Sequence, residues 1–325
     1  MGSPFAGLEV EKEFRPDAQA CGFDLNRALS SVVALQARVG EDAFTAETLG
    51  VERTGNGVVI GADGLVLTIG YLVTEADQVT LTTADGRRVP AHVLGVDAAT
   101  GFGLVYALEP LEAPALPIGD SRSLEPPEPV IVAGGGGRAH ALAGRMLARA
   151  PFSGYWEYHL DEALFVGPAH PHWSGAALIN AAGELVGLGS LRMEQQASDG
   201  EVRPLNMFVP IELLAPIRED LAGGRPATPP RPWIGVFCQE VAGHVVVIDV
   251  SAGGPAAKAG FQGGDVIRQV GRRRVTDLAE FYKAVWSLGA PGVTAPITLS
   301  RGGETLEVEV ETIDRAAKLR KRRFN

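Results

Sequence analysis

Short strands separated by tight turns limit the fold of this sequence more than any other feature. In the first clear hairpin, residues 57–60 and 65–68 are apolar and residues 61–64 supply a glycine-containing turn. Glycine adopts the positive φ that such turns require. A second hairpin joins residues 78–82 to residues 89–94, and further strands are predicted at 31–37, 129–133, 177–180 and 184–188. Strands of this length and spacing predict an antiparallel barrel or sandwich.

A proline-rich segment separates this region from a smaller one. Residues 223–232 contain four prolines, which is typical of a stiff linker. Strands are predicted beyond it at 234–239, 244–249, 265–270, 295–300 and 305–312. A short helix is predicted at 256–259 and a longer one at 277–288. In the longer helix, Leu278, Phe281, Val285 and Leu288 fall on one face. The sequence therefore predicts a mainly β protein with a second, compact domain of about 80 residues.

Charge and hydropathy narrow the classes of function. The 29 basic and 39 acidic residues give a net charge of −10, which disfavours nucleic acid as a partner. The longest apolar runs are far shorter than the ~18 residues of a membrane helix, so no transmembrane segment is expected. The first 17 residues lack the apolar region of a signal peptide. We expect a cytoplasmic location for the chain as written, and a periplasmic one if a leader has been removed.

Metal and cofactor sites have little support in the sequence. Cys21 and Cys238 are the only cysteines, which excludes a disulfide scaffold or a four-cysteine zinc site and favours two reduced thiols. His170 and His172 form a His-x-His pair, but no acidic or cysteine ligand stands at a suitable spacing. We expect two surface histidines, no metal site and no cofactor, with metal binding through this pair as an alternative.

Several motifs occur in a characteristic order along the chain. They are GNGVVIGADGLVLT at 55–68, ADGR at 84–87, PIGDS at 117–121, SG at 174–175, GELVG at 183–187, FVPI at 208–211 and GPAAKAGFQGGDVI at 254–267. Together they resemble the HtrA/Deg family, in which a trypsin-like double β-barrel precedes one or more PDZ domains. The resemblance implies an N-terminal arm (1–24), a trypsin-like domain (25–222), the proline-rich linker (223–232), a PDZ domain (233–314) and a basic C-terminal tail (315–325).

The same resemblance shows where the chain departs from the catalytic pattern. The family's base lies in a T-N-x-H-V-V motif, whereas residues 68–73 read TIGYLV and place Tyr71 at the histidine position. Gly101 stands at the position of the aspartate. The nucleophile motif G-N-S-G-G-P appears as HWSGAA, which keeps Ser174 and the glycine after it. A serine protease needs all three groups, because the imidazole takes the proton of the serine and the carboxylate orients the imidazole.

The missing residues predict a pseudoprotease that acts as a peptide- or protein-binding scaffold, or as a chaperone-like regulator in protein quality control. The rival interpretation is a serine endopeptidase with a rearranged active site. In that case Ser174 would need another base, with His172 nearest in sequence and His92, His159 or His170 available only if the fold brings them close. The loop with bulky His172 and Trp173 also makes an ordinary oxyanion hole doubtful.

The second domain carries the expected binding site. Trp233, Ile234, Gly235 and Val236 stand where a PDZ domain has its carboxylate-binding loop. The backbone N–H groups of that loop bind a peptide C-terminus, and the peptide adds as a strand to the sheet edge. The expected partners are C-terminal or extended peptides of client proteins. HtrA relatives also form trimers through aromatic residues of N-terminal segments, for which Phe5, Phe14 and Phe23 are the candidates.

Overall fold

The computed structural model describes residues 4–5, 7–196 and 200–320. By internal contacts the chain divides into two compact units. The first contains Met1–Ala150 and Glu162–Thr228, and the second contains Pro151–Asp161 and Pro229–Arg320. The boundaries expected from the sequence keep Pro151–Asp161 with the trypsin-like domain. The second unit thus gains a segment that lies about 70 residues away from the rest of it in the sequence.

Two closed antiparallel barrels form the first unit, and the mainly β fold predicted from the sequence is confirmed. The strands of the first barrel are β1 (Val32–Val39), β2 (Glu52–Val59), β3 (Leu65–Ile69), β4 (Ala76–Thr82), β5 (Arg88–Val96) and β6 (Phe102–Ala107). Those of the second are β7 (Pro129–Ala133), β8 (Ala141–Gly154), β9 (Tyr158–Gly167), β10 (Ala177–Ile179), β11 (Leu185–Gln196) and β12 (Val202–Pro210).

The β2–β3 hairpin illustrates how the sequence determines a barrel. Val58 pairs with Leu67 and Val59 pairs with Val66, and all four side chains are buried. Gly64 has φ +95° in the turn, a conformation that other residues rarely adopt. The strand β1 closes the barrel, since it pairs with both β2 and β4.

The helices of the first unit are short. They are α1 (Leu25–Ser30), α2 (Ala46–Leu49), α3 (Gly70–Val73) and α4 (Arg218–Ala222), with 3₁₀ turns at Lys12–Phe14, Ser121–Ser123, Gly137–His140 and Ile211–Leu213. The helix α1 begins at a capping residue, because the Asp24 carboxylate accepts the Arg27 N–H. The helix α3 directly follows β3 and carries Tyr71. Among the described residues, no helix is long and apolar enough to cross a membrane.

In the second unit, the longer of two helices packs on a six-stranded sheet. Its elements are β13 (Pro232–Trp233), β14 (Val236–Val241), β15 (His244–Val250), α5 (Pro255–Lys258), β16 (Val266–Val270), β17 (Arg273–Arg274), α6 (Leu278–Trp286), β18 (Thr294–Arg301), β19 (Glu304–Glu311) and β20 (Ile313–Asp314), followed by a 3₁₀ turn at Arg315–Lys318. Leu278, Phe281 and Val285 of α6 are buried in the core, as the helical periodicity predicts. The sheet order β14-β15-β16-β18-β19 leaves β14 at an edge.

One loop differs from its prediction. The four glycines at 134–137 suggest a flexible loop without a helix, but a 3₁₀ turn begins at Gly137. The loop is tightly packed, because a Cβ atom on Gly135 would collide with the backbone nitrogen of Ala34. The glycines therefore permit close approach of two backbones.

Candidate functional site

Ser174 and Tyr71 form a hydrogen-bonded pair in the first unit. The Oη atom of Tyr71 lies 2.6 Å from Ser174 Oγ and 2.8 Å from the carbonyl oxygen of Ser190. A carbonyl only accepts, so the single phenolic proton is donated to Ser190. The bond between the two side chains then requires the Ser174 hydroxyl to donate to Tyr71. In this arrangement the Ser174 hydroxyl proton points at Tyr71 Oη, which already carries the phenolic proton.

The protonation state of Tyr71 follows from its surroundings. Burial raises the pKa of the phenol to about 12, although its side-chain hydrogen bonds lower it. At pH 7 only about one molecule in 10⁵ would carry a phenolate. Tyr71 therefore remains a neutral hydrogen-bonding partner of Ser174.

The structure places no carboxylate at Gly101. The Gly101 backbone has φ +82°, and its carbonyl accepts the N–H of Gly70, the residue before Tyr71. The nearby Asp97 is buried and accepts two hydrogen bonds from Thr100 at 2.8 Å and one from Thr228. Asp97 stabilises its own turn, and its carboxylate oxygens bond to Thr100 and Thr228 rather than to Tyr71 or Ser174.

The loop before Ser174 is held in a closed conformation. In serine proteases, the amide two residues before the nucleophile and the amide of the nucleophile itself form the oxyanion hole. Here the amide two residues earlier, that of His172, donates to His170 Nδ1 at 2.9 Å. A donor engaged inside the protein is not available to a substrate oxyanion.

Asn56 on β2 fixes this loop, a role that the sequence did not suggest. The Asn56 side-chain amide donates to the carbonyls of His172 (2.8 Å) and Ser174 (2.9 Å). Its Oδ1 accepts the N–H of Gly135 at 2.8 Å. The side chain is fully buried and fully hydrogen-bonded. The motif at 55–68 contains Asn56, but an asparagine in a strand carries no signal for contacts more than 100 residues away.

A second set of buried polar groups positions Tyr71 and was also missed. Arg53 donates to the carbonyls of Tyr71 (2.7 Å) and Thr74 (2.9 Å) and to the hydroxyl of Thr45. The Glu75 carboxylate accepts from the N–H and the hydroxyl of Thr45. Burial lowers the pKa of Arg53, while the charge of Glu75 raises it. These contacts hold the backbone of α3.

The prediction of two surface histidines is wrong for His170. This side chain has no exposed surface, and its ring lies close to Gly134 of the glycine loop. Its Nδ1 accepts the His172 N–H, so its Nε2 donates to the His140 carbonyl at 3.0 Å. Burial lowers the pKa of His170 to about 4. The ring of His172 lies against Phe5 and its Nε2 faces the carbonyl of Leu8.

The histidine pair is not arranged as a metal site. Both ring nitrogens of His170 are engaged in hydrogen bonds, which leaves no lone pair for a metal ion. The described part of the chain contains no group of three or more His, Cys, Asp or Glu side chains that could hold one.

In the second unit, the loop at 233–236 gathers backbone donors around a carboxylate. The N–H groups of Gly235 (2.6 Å) and Val236 (3.1 Å) donate to Glu157 Oε1, and that of Ile234 (3.2 Å) donates to Oε2. Gly235 has φ +80°, and a Cβ atom there would press on the Trp233 ring. The Ile234 and Val236 side chains are buried in the core. The sequence did not identify Glu157 as part of this site.

Comparisons with known proteins agree with both units. A trypsin-like peptidase domain model matches residues 55–188, and a PDZ domain model matches residues 232–312. A probable periplasmic serine endoprotease DegP-like of Pseudomonas fluorescens is 28% identical over 272 residues, covering 80% of this chain and 56% of the relative. The serine protease Do-like HtrA of Lactobacillus helveticus is 25% identical over 285 residues, covering 79% of this chain and 68% of the relative. The chain belongs to the HtrA/Deg family.

Solved structures of an HtrA-type protease and of a serine endoprotease have the same fold. The HtrA-type protease AlgW with decapeptide aligns with a TM-score of 0.53 at 20% identity, over 90% of this chain and 97% of that one. The serine endoprotease from Yersinia pestis aligns with a TM-score of 0.50 at 23% identity, over 90% and 98%. This HtrA/Deg chain spans about 56% of the length of its Pseudomonas relative.

Proposed function

We propose that this HtrA/Deg chain does not hydrolyse peptides and acts as a peptide- or protein-binding scaffold, or as a chaperone-like regulator. One observation carries the proposal: the Ser174 hydroxyl donates to Tyr71, a neutral phenol whose own proton is donated to Ser190. Nucleophilic attack requires a group that removes the serine proton. Losing the base of such a triad costs about 10⁶-fold in turnover.

Three of the four histidines considered as a replacement base are engaged by other groups. The His159 ring bonds to Ser153 and Asp161. The His172 ring bonds to Leu8, and His170 donates to His140. Among the described residues, the only side-chain hydrogen bond of Ser174 is the one to Tyr71.

Labelling with a fluorophosphonate probe tests this proposal. We expect no labelling above background for the natural chain, for Ser174→Ala and for Tyr71→Phe, because none of the three provides a base. Tyr71→Phe is the matched control, since it removes the phenol and keeps the ring. Stoichiometric labelling of the natural chain that disappears in Ser174→Ala would overturn the proposal.

Peptide capture is the positive part of the proposal. It is supported by the PDZ domain match and by the three N–H groups that converge on one carboxylate. A related fold has been solved with a decapeptide. We propose that the ligands are C-terminal or extended peptides of client proteins. Peptides with a free, apolar C-terminal residue should bind at least tenfold more tightly than their amidated forms, as measured by fluorescence anisotropy.

The relatives' names favour a second candidate function. One is named a serine endoprotease and the other a serine protease, and Ser174 with Gly175 is retained here. A rearranged endopeptidase would need movement of Tyr71 or of the His172 loop upon substrate binding. The fluorophosphonate experiment distinguishes this candidate from the scaffold.

Assembly and location are further parts of the proposal. We propose a trimer, as the family resemblance implies. Phe14 is 44% exposed, whereas Phe5 is buried within its own chain and Phe23 packs on Gly183. A monomeric mass in light scattering would contradict the trimer. The Pseudomonas relative is named periplasmic, and we propose the same compartment, which cell fractionation tests.

A further inference from the structure

The carboxylate-binding loop of the PDZ unit already holds a carboxylate. Glu157 lies at the tip of the hairpin formed by β8 and β9, in the segment Pro151–Asp161 that clusters with the second unit. Its two oxygens accept three hydrogen bonds from consecutive backbone N–H groups at 234–236. A peptide C-terminus would use the same donors. An internal side chain and an external peptide therefore compete for one site.

The backbone of the hairpin tip also contacts β14 in the way that a bound peptide would. The N–H of Cys238 on the edge strand β14 donates to the Tyr155 carbonyl at 2.9 Å. Peptides that add to a sheet edge form hydrogen bonds of this kind. The Tyr155 ring also lies 6.1 Å from the ring of Phe237 on the same strand.

The helix α6 provides the opposite side of the groove. The buried hydroxyl of Tyr282 donates to the Gly154 carbonyl at 2.8 Å. Lys283 Nζ lies 2.6 Å from Asp161 Oδ1 at the end of the segment. The tip is thus bound by the loop at 234–236, by the edge of β14 and by α6, which together form the site expected for a peptide.

The turn that contains Glu157 has an unfavourable backbone conformation at this residue. Glu157 has φ +58°, a left-handed conformation that is unfavourable for a residue with a side chain. Glycine would adopt this conformation without that cost. Glutamate supplies the carboxylate instead.

We infer that Glu157 is an internal ligand of the carboxylate-binding loop and keeps this site closed to C-terminal peptides until the hairpin tip is released. The inference rests on the proposed peptide-binding function and adds its regulation. It also names the competing ligand: an extended peptide with a free terminal carboxylate, which must displace the Gly154–Glu157 contacts with β14 and α6.

Competition has a measurable size. The apparent affinity for an external ligand falls in proportion to the fraction of molecules whose site is open. A hairpin tip docked in nine of ten molecules would weaken peptide binding about tenfold. Because the internal ligand is tethered, even a weak contact can reach this occupancy.

Peptide titrations of Glu157 variants test the inference. Glu157→Ala and Glu157→Gly remove the carboxylate, and the glycine also relieves the left-handed turn. We expect both to bind a fluorescent peptide with a free, apolar C-terminus at least tenfold more tightly than the natural chain. The control Glu162→Ala removes a carboxylate from the same hairpin at a side chain that is 60% exposed and paired with Arg149. It should bind like the natural chain.

Hydrogen exchange of the Gly235 and Val236 amides measures docking without any peptide. Exchange should accelerate at least tenfold in Glu157→Ala and remain unchanged in Glu162→Ala. Unchanged exchange together with equal peptide affinity in all variants would overturn the inference and leave peptide binding intact. Accelerated exchange with no peptide binding in any variant would support the internal ligand and overturn the proposed peptide capture.

Discussion

Hydrogen-bond direction determines the chemistry of single residues in this chain. Tyr71 accepts a hydrogen bond from Ser174, as the histidine of a triad does from its serine, but an imidazole nitrogen can take up the serine proton and a phenol that keeps its own proton cannot. The Tyr71 phenol has one proton, and Ser190 receives it. The sequence could point to Tyr71, but only the structure shows that its hydroxyl proton is donated to Ser190 while its oxygen accepts from Ser174.

The docking of Glu157 on the loop at 234–236 should depend on pH. Burial raises the pKa of its carboxyl to about 7, while its three N–H partners and the charge of Arg315 lower it. A raised pKa means that docking takes up a proton, so docking is favoured below the ordinary pKa of the carboxyl and is lost as the pH rises through about 7. The other groups that face Glu157 are Cys238 on β14 and Tyr282 on α6.

We therefore expect the natural chain to bind a carboxylate peptide more tightly at pH 8 than at pH 5, by a factor on the order of ten. Glu157→Ala should show the same affinity at both values. Anisotropy titrations across this range make the comparison. A pH dependence that persists in Glu157→Ala would assign the effect to another group and contradict this role of Glu157.

Elements with strong local signals could be predicted from the sequence. The β2–β3 hairpin has alternating apolar residues and a glycine turn, and α6 has a regular apolar face. The strands β8 and β9 were not predicted. β8 carries Arg145, Arg149 and Pro151 among its apolar residues, and its outer end is ordered by contacts distant in sequence. Because this hairpin could not be predicted, the position of Glu157 at its tip could not be predicted either.

The contact between β2 and the Ser174 loop also joins residues that are distant in sequence, so local patterns could not predict it. It leads to a prediction about stability. Asn56→Ala leaves the buried N–H of Gly135 and the carbonyl of His172 without their partner. We expect a loss of about 2–4 kcal/mol in the free energy of unfolding. Urea denaturation measures it, with the exposed Asn26→Ala in α1 as a control that should change stability by less than about 0.5 kcal/mol. Equal stability of both variants would refute the role given to Asn56.

At the scale of the whole molecule, the two units carry separate parts of the proposed function. The fold class and the family could be predicted from the order of motifs, because each motif lies at a turn or strand that the fold requires. The assignment of Pro151–Asp161 to the second unit could not, since it depends on hydrogen bonds between residues about 80 positions apart. The trypsin-like unit keeps its barrels, and we propose that Tyr71 and Gly101 occupy the positions of the base and its carboxylate.

Casein turnover tests the central claim most directly. The rate of peptide-bond cleavage should be measured for the natural chain and for Ser174→Ala, purified in parallel. We expect the two rates to be equal and at the background of the assay, because no group removes the Ser174 proton. Multiple turnovers by the natural chain that are lost in Ser174→Ala would contradict the account.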